Sequence, residues 1–166
     1  MRVAILNRQR EAFPGGDLVQ IDATMEALSK LGVECEYAPE GWTLDWLRTF
    51  DLAHMFHVNF GWSVYNWLRT VKVRVPYVVT PIFYPDLTLG ADAITISMML
   101  GRAQAVMPFS GAEYRELVSA VGEECLPRVV CMVPNGTDPM FRGPLDSEGR
   151  SGVLCVAARP GDKNSE

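Results

Sequence analysis

The chain is 166 residues long, which is room for one domain with an apolar core of its own. Its 48% apolar and 21% charged residues are the proportions of a globular protein and exclude a disordered, collagen-like or disulfide-scaffold chain. Fifteen Lys and Arg against 20 Asp and Glu leave a net charge of −5, which disfavours a non-specific grip on nucleic acid or acidic lipid and favours a small partner.

The first predicted strand is the continuous apolar run Val3-Ala4-Ile5-Leu6, the pattern of a parallel strand covered on both faces. A loop containing Pro14, Gly15 and Gly16 leads into an amphipathic helix with Leu18, Ile21, Met25 and Leu28 on one side, and Gly32 is placed to end it. Val33 to Tyr37 reads as a second strand, a short helix surrounds Leu44 and Leu47, and Leu52 to Phe56 is a third strand. The next helix is expected to bury Phe60, Val64, Trp67, Leu68 and Val71. The pre-proline Val75 then introduces a fourth strand, Tyr77 to Val79.

Residues 91–104 read as a helix of weak period, and Ala105, Val106, Met107 and Phe109 as a fifth strand. Ser110-Gly111-Ala112-Glu113 has the spacing of a capping box ahead of a helix carrying Tyr114, Leu117, Val118 and Val121 on one face. Val129 to Val133 is a sixth candidate strand. This β-α alternation implies a Rossmann-like α/β fold, an open parallel sheet with helices on both faces. The domain is expected to span 1–142, with a Gly- and Pro-rich linker at 143–152 and, from Val153, the first strand of a truncated second domain.

The four cysteines, Cys35, Cys125, Cys131 and Cys155, lack C-x-x-C spacing and read as buried reduced thiols rather than a zinc or redox site. No run of roughly eighteen apolar residues occurs, and no apolar stretch follows the N-terminal charges, so a cytoplasmic protein without signal peptide or spanning helix is expected. Arg69, Lys72 and Arg74 read as a solvated helix end rather than a lipid-facing patch. Trp67 reads as core, with Trp62 and Tyr65 directed elsewhere.

In open α/β sheets ligands bind outside the carboxyl ends of the strands. Gly15-Gly16 sits there, directly ahead of a helix whose free N–H groups suit an oxygen-rich ligand, although the pair also fits a plain turn. Neither G-x-G-x-x-G nor a P-loop lysine is present. His54 and His57 fall on opposite faces, unsuited to a two-His metal site, and His57 lies nearer the ligand side.

The order of these segments resembles the amino-terminal domain of GT-B glycosyltransferases, in particular the retaining family 4, over nearly the whole chain. The resemblance is carried by Pro14-Gly15-Gly16-Asp17, by Leu28 to Cys35, by Asp51-Leu52-Ala53-His54-Met55-Phe56-His57, by Ala105 to Ser110, and most specifically by Val133-Pro134-Asn135-Gly136-Thr137-Asp138 with Phe141. It implies transfer of a sugar from a nucleotide-sugar donor to an acceptor that is a small molecule, a glycan or a lipid-linked sugar, with no resident cofactor. Gly15, Gly16, Asp17 and His57 are then acceptor-side residues, Asn135, Gly136, Thr137 and Asp138 shape the cleft between lobes, and Arg159 and Lys163 hold the donor diphosphate. Cations there would meet the charge that grows on the leaving diphosphate, and the sequence has no Asp-x-Asp to seat a metal for that task. Where many members carry a histidine after the fourth strand, this chain reads Thr80-Pro81-Ile82-Phe83-Tyr84. A nucleotide-sugar epimerase of the same fold and a non-catalytic binding module are the alternative readings.

Overall fold

A computed structural model describes residues 1–10, 15–85 and 89–136, and Met1–Asn135 form one compact unit. Five strands, β1 (Arg2–Leu6), β2 (Glu34–Tyr37), β3 (Leu52–Phe56), β4 (Tyr77–Thr80) and β5 (Ala105–Val106), form one parallel sheet in the order β2-β1-β3-β4-β5. The helices are α1 (Gly16–Lys30), α2 (Leu44–Leu47), α3 (Gly61–Val73), α4 (Ala93–Leu100) and α5 (Gly111–Val121). The fold is α/β and Rossmann-like. The expected linker at 143–152 and strand from Val153 lie outside the described residues.

The strand order decides which helix covers which face. From β1 to β2 the chain steps one way across the sheet, and from β2 onward it steps the other way, so right-handed crossovers put α1 on one face and the later helices on the opposite one. The two apolar clusters follow that division. Val3, Ile5 and Phe56 pack with Ile21 of α1, flanked by Leu18 and Met25. Ala4, Leu6, Ala53, Met55, Tyr77 and Val79 face the other side, against Leu47, Trp67, Ile96, Met99, Leu100 and Leu117. Alternate residues of β1 and β3 therefore serve opposite cores, which is why these strands are apolar throughout.

Three helices begin as their sequences dictate, with Thr43, Asp92 and Ser110 each accepting from a backbone N–H of the first turn. The capping box is half formed. Ser110 accepts from the Glu113 N–H, but the Glu113 carboxylate takes the N–H groups of Phe83 and Phe109, both at 2.8 Å, instead of returning to Ser110. One buried acid thus ties together the loops after β4 and β5, and its burial raises its pKa.

Several expectations are corrected. In α3 the buried residues are Ser63, Asn66, Trp67 and Thr70, while Leu68 is 55% exposed. Small and amide side chains let this helix lie close to the strand ends, and Thr70 and Asn66 satisfy their polar groups on backbone carbonyls. The sixth strand reduces to a single parallel bridge, Val106 to Val130, along the edge of β5. Of the described cysteines, Cys35 and Cys125 are half-buried and Cys131 is exposed, so none is a core thiol. Among the described residues no helix is long and apolar enough to cross a membrane.

Candidate functional site

The sheet order reverses between β1 and β3, and the polar side chains of interest gather at the carboxyl ends of these two strands. Asn7 and Arg8 follow β1 directly, Asp17 lies in the first turn of α1, and His57 is the first residue beyond β3. The Asp17 carboxylate receives Asn7 Nδ2 at 3.0 Å, Arg8 Nε at 3.0 Å and a second Arg8 nitrogen at 2.8 Å, a bidentate pair in which both side chains are largely buried. His57 Nε2 stands 3.5 Å from the same carboxylate.

Each ionisation follows from this packing. Burial works to raise the Asp17 pKa, but the hydrogen bonds from Arg8 and Asn7 and the Arg8 charge outweigh it, and the carboxyl is held well below its usual range. For His57 burial dominates and lowers the pKa, while the Asp17 carboxylate and the Ile82 backbone act in the opposite sense. The ring is therefore neutral at physiological pH beside a permanent anion. Its Nδ1 makes no hydrogen bond of normal geometry.

His57 adopts a left-handed backbone, φ 64°, a conformation uncommon for a residue with a Cβ and enriched at functional sites. Aromatic rings enclose its side chain, with Phe60 and Trp62 edge-on at 5.2 and 5.3 Å and Tyr84 parallel at 6.2 Å. Phe60 is set by an antiparallel bridge to Gly90, where φ is 117° and a Cβ would stand 2.7 Å from the Gly61 nitrogen. The fully buried Asn59 fixes Tyr84 by exchanging hydrogen bonds with its backbone N–H and carbonyl.

Next to this cluster opens a cavity of ≈470 Å³ between the end of β1, the loop after β2 and the outer side of α3. Asn7, Arg8 and Gln9 line it from β1, Glu40 and Trp42 from the loop, and Trp62, Tyr65, Asn66 and Arg69 from α3. Trp62 belongs to both places, since it packs on His57 and also lines the cavity. Arg69 is drawn away from Lys72 and Arg74, its guanidinium 4.1 Å from the Trp42 ring centre and 5.1 Å from that of Tyr65. The three cations thus do not act as one patch, and Trp62 and Tyr65 have a shared destination.

Of the predicted acceptor-side residues, Asp17 and His57 come together, with Gly15 and Gly16 beside them at the start of α1. None of the four lines the cavity, and Asn7 and Arg8 connect the two groups. Asn135 and Gly136 are exposed and outside regular structure, whereas Thr137, Asp138, Arg159 and Lys163 lie outside the described residues. Sequence reasoning missed Asn7, Arg8, Trp42, Asn66 and Arg69. For the α3 residues a signal existed, because Trp62, Tyr65, Asn66 and Arg69 repeat at i, i+3, i+4 and i+7 as a stripe distinct from Trp67. Among the described residues no group of three or more His, Cys, Asp or Glu side chains is arranged to hold a metal ion.

The Gly-Gly pair divides into two unlike positions. A Cβ on Gly15 would meet an Asp17 oxygen at 2.4 Å and an Arg8 nitrogen at 2.6 Å, while one on Gly16 meets nothing within 4 Å. Gly15→Ala is therefore expected to push Asp17 and Arg8 apart and shift the His57 ring resonances in NMR spectra. Gly16→Ala should leave those resonances in place and raise stability by about 0.4–1 kcal/mol through the unfolded chain. Equal spectra for the two variants would show that the ion pair does not need Gly15.

In comparisons with known proteins, the chain matches no protein-family model and no curated protein.

Proposed function

We propose that this chain is the acceptor-side domain of a retaining, two-lobed glycosyltransferase, with the donor lobe opening near Val153. The observation that supports the reading is the crevice at the β1/β3 reversal, where the start of α1, the Asp17–His57 pair and an aromatic, amide-lined cavity adjoin one another. Stacking rings beside directional polar groups suit a sugar, which offers an apolar ring face and a rim of hydroxyls.

The charge at the start of α1 bears on the division of labour. Helix N-termini attract anions, and here the Asp17 carboxylate already occupies that place and is itself neutralised by Arg8. This end of the cleft suits a hydroxylated acceptor better than a diphosphate, and the diphosphate is assigned to Arg159 and Lys163. In the transfer, the bond between the donor's anomeric carbon and its phosphate oxygen breaks, and the acceptor oxygen bonds to that carbon from the same face. The acceptor proton passes to the departing diphosphate, whose charge the two cations stabilise.

The test is a screen of nucleotide-sugars and acceptors with the complete gene product, reading transferred sugar and its anomeric configuration by NMR. The expected result is transfer with retention, reduced by about 10²-fold or more in Arg159→Ala and Lys163→Ala, the scale of losing one transition-state contact. An inverted nucleotide-sugar without transfer would establish the epimerase, and absence of turnover with every donor would establish a binding module.

A further inference from the structure

The cavity at α3 contains a cation whose partners are all neutral. Arg69 donates to the Tyr65 hydroxyl and to the Trp42 carbonyl, and its Nε is buried without a partner. Among the described residues no carboxylate lies within ion-pair distance of it, whereas the neighbouring Arg8 is fully engaged by Asp17. A guanidinium fixed between two rings has lost part of its hydration and retains donors in a set geometry, the arrangement that favours a bound oxyanion. The second orphan is Asn7, 7% exposed, whose side-chain Oδ1 is buried and unpaired on the same cavity. Its Nδ2 is held by Asp17 and Asn66 donates to its carbonyl, so this acceptor is held in place. Across the cavity Gln9 donates to Glu40 at 3.0 Å, a pair with capacity to bond hydroxyl groups.

From these features we infer that the cavity takes a monosaccharide or cyclitol ring bearing one acidic group, a carboxylate or a phosphate. The acid meets Arg69, the ring lies against Trp62 and a ring hydroxyl donates to Asn7 Oδ1. A cavity of ≈470 Å³ accommodates one such ring with its substituent. The inference rests on the glycosyltransferase reading only in making this ligand the acceptor; the binding itself rests on the cavity.

The test is titration calorimetry of the 166-residue chain with four probes: glucuronic acid, glucose 6-phosphate, glucose and inorganic phosphate. Either or both acidic sugars should bind at least about tenfold tighter than glucose, the scale of one charge-assisted hydrogen bond. If only one binds so, it identifies the acid as carboxylate or phosphate. Arg69→Gln should abolish the preference and Arg69→Lys should keep part of it. Gln9→Glu, an exposed change that adds negative charge to the cavity, should weaken the acidic sugars relative to glucose and serves if Arg69→Gln does not fold. Glucose binding as tightly as both acids, no sugar binding at all, a preference unmoved by Arg69→Gln or by Gln9→Glu, or inorganic phosphate matching glucose 6-phosphate would each overturn the inference. Transfer to neutral acceptors alone would refute it and leave the glycosyltransferase reading standing. Binding of acidic sugars by a protein without transferase activity would do the reverse.

Discussion

Trp67→Ala is expected to lower the free energy of unfolding by about 3–5 kcal/mol, the usual loss for deleting a buried aromatic ring. Trp67 is 4% exposed and sits where α3 crosses onto β4. Its indole N–H donates to the Tyr77 hydroxyl at 3.0 Å, and that hydroxyl donates to the Met99 carbonyl at 2.6 Å, so one chain of hydrogen bonds joins α3, β4 and α4. Burial pushes the Tyr77 phenol up to about 12, which keeps it protonated and able to donate. Trp67→Phe retains most of the apolar contact and loses the indole donor, and about 1–2 kcal/mol is expected for it. Urea unfolding followed by circular dichroism measures both, and a loss under about 1 kcal/mol for the alanine variant would contradict the placement of Trp67 in the core.

The second large effect is a dependence on pH set by His54. This ring is buried on the α1 side of β3, stacked on Phe56 at 4.2 Å, with Nε2 2.8 Å from Thr80 Oγ1. Burial lowers its pKa to about 4. In the unfolded chain a histidine titrates near its ordinary value of about 6.5. Between these values the unfolded state binds the extra proton, so stability is complete above about pH 6.5 and falls as pH drops toward 4. A gap of 2.5 in pKa from the printed values corresponds to about 3 kcal/mol over that window. His57 is lowered as well and adds a smaller slope of the same sign, whereas Asp17, held below the usual carboxylate range, contributes only at more acidic pH. His54→Gln, which keeps a polar partner for Thr80, should flatten most of the dependence. If wild type and variant lose equal stability between pH 6.5 and 4.5 in urea titrations, His54 is not held neutral by burial.

The residues show which parts of this architecture a sequence reveals. β3 is found at its expected bounds, Leu52–Phe56, because an uninterrupted apolar strand and a polar loop on each side leave little choice. β5 is shorter than its apolar run, since Pro108 has no N–H to extend the ladder and offers only its carbonyl, which accepts from Val133. The buried side of α3 was misjudged at Leu68 because a helical period read from apolar residues alone cannot see that Asn66 and Thr70 find backbone carbonyls. Glu113 carries the spacing of a local cap, but the N–H of Phe83, 30 residues away, competes for its carboxylate.

The site divides in the same way. Gly15, Asp17 and His57 are legible because strand ends and a helix start mark them, and they do lie together. The cavity is assembled from three segments, 7–9, 38–42 and 62–69, whose proximity depends on β1 lying between β2 and β3. No local pattern records that adjacency. Arg69 illustrates the point, since its neighbours in sequence suggest a basic helix end while its neighbours in space are Trp42 and Tyr65.

The central place of β1 also dictates an order of assembly. The first strand to leave the ribosome is hydrogen-bonded on both flanks in the finished sheet, yet its partners end at Tyr37 and Phe56. Until those residues emerge, the apolar run Val3 to Leu6 has two open edges and no cover, and closing each one requires a crossover of many residues. Folding is consequently slow for the length of the chain, and aggregation in the cell is governed by how long the nascent N-terminus stays shielded while translation continues past β3.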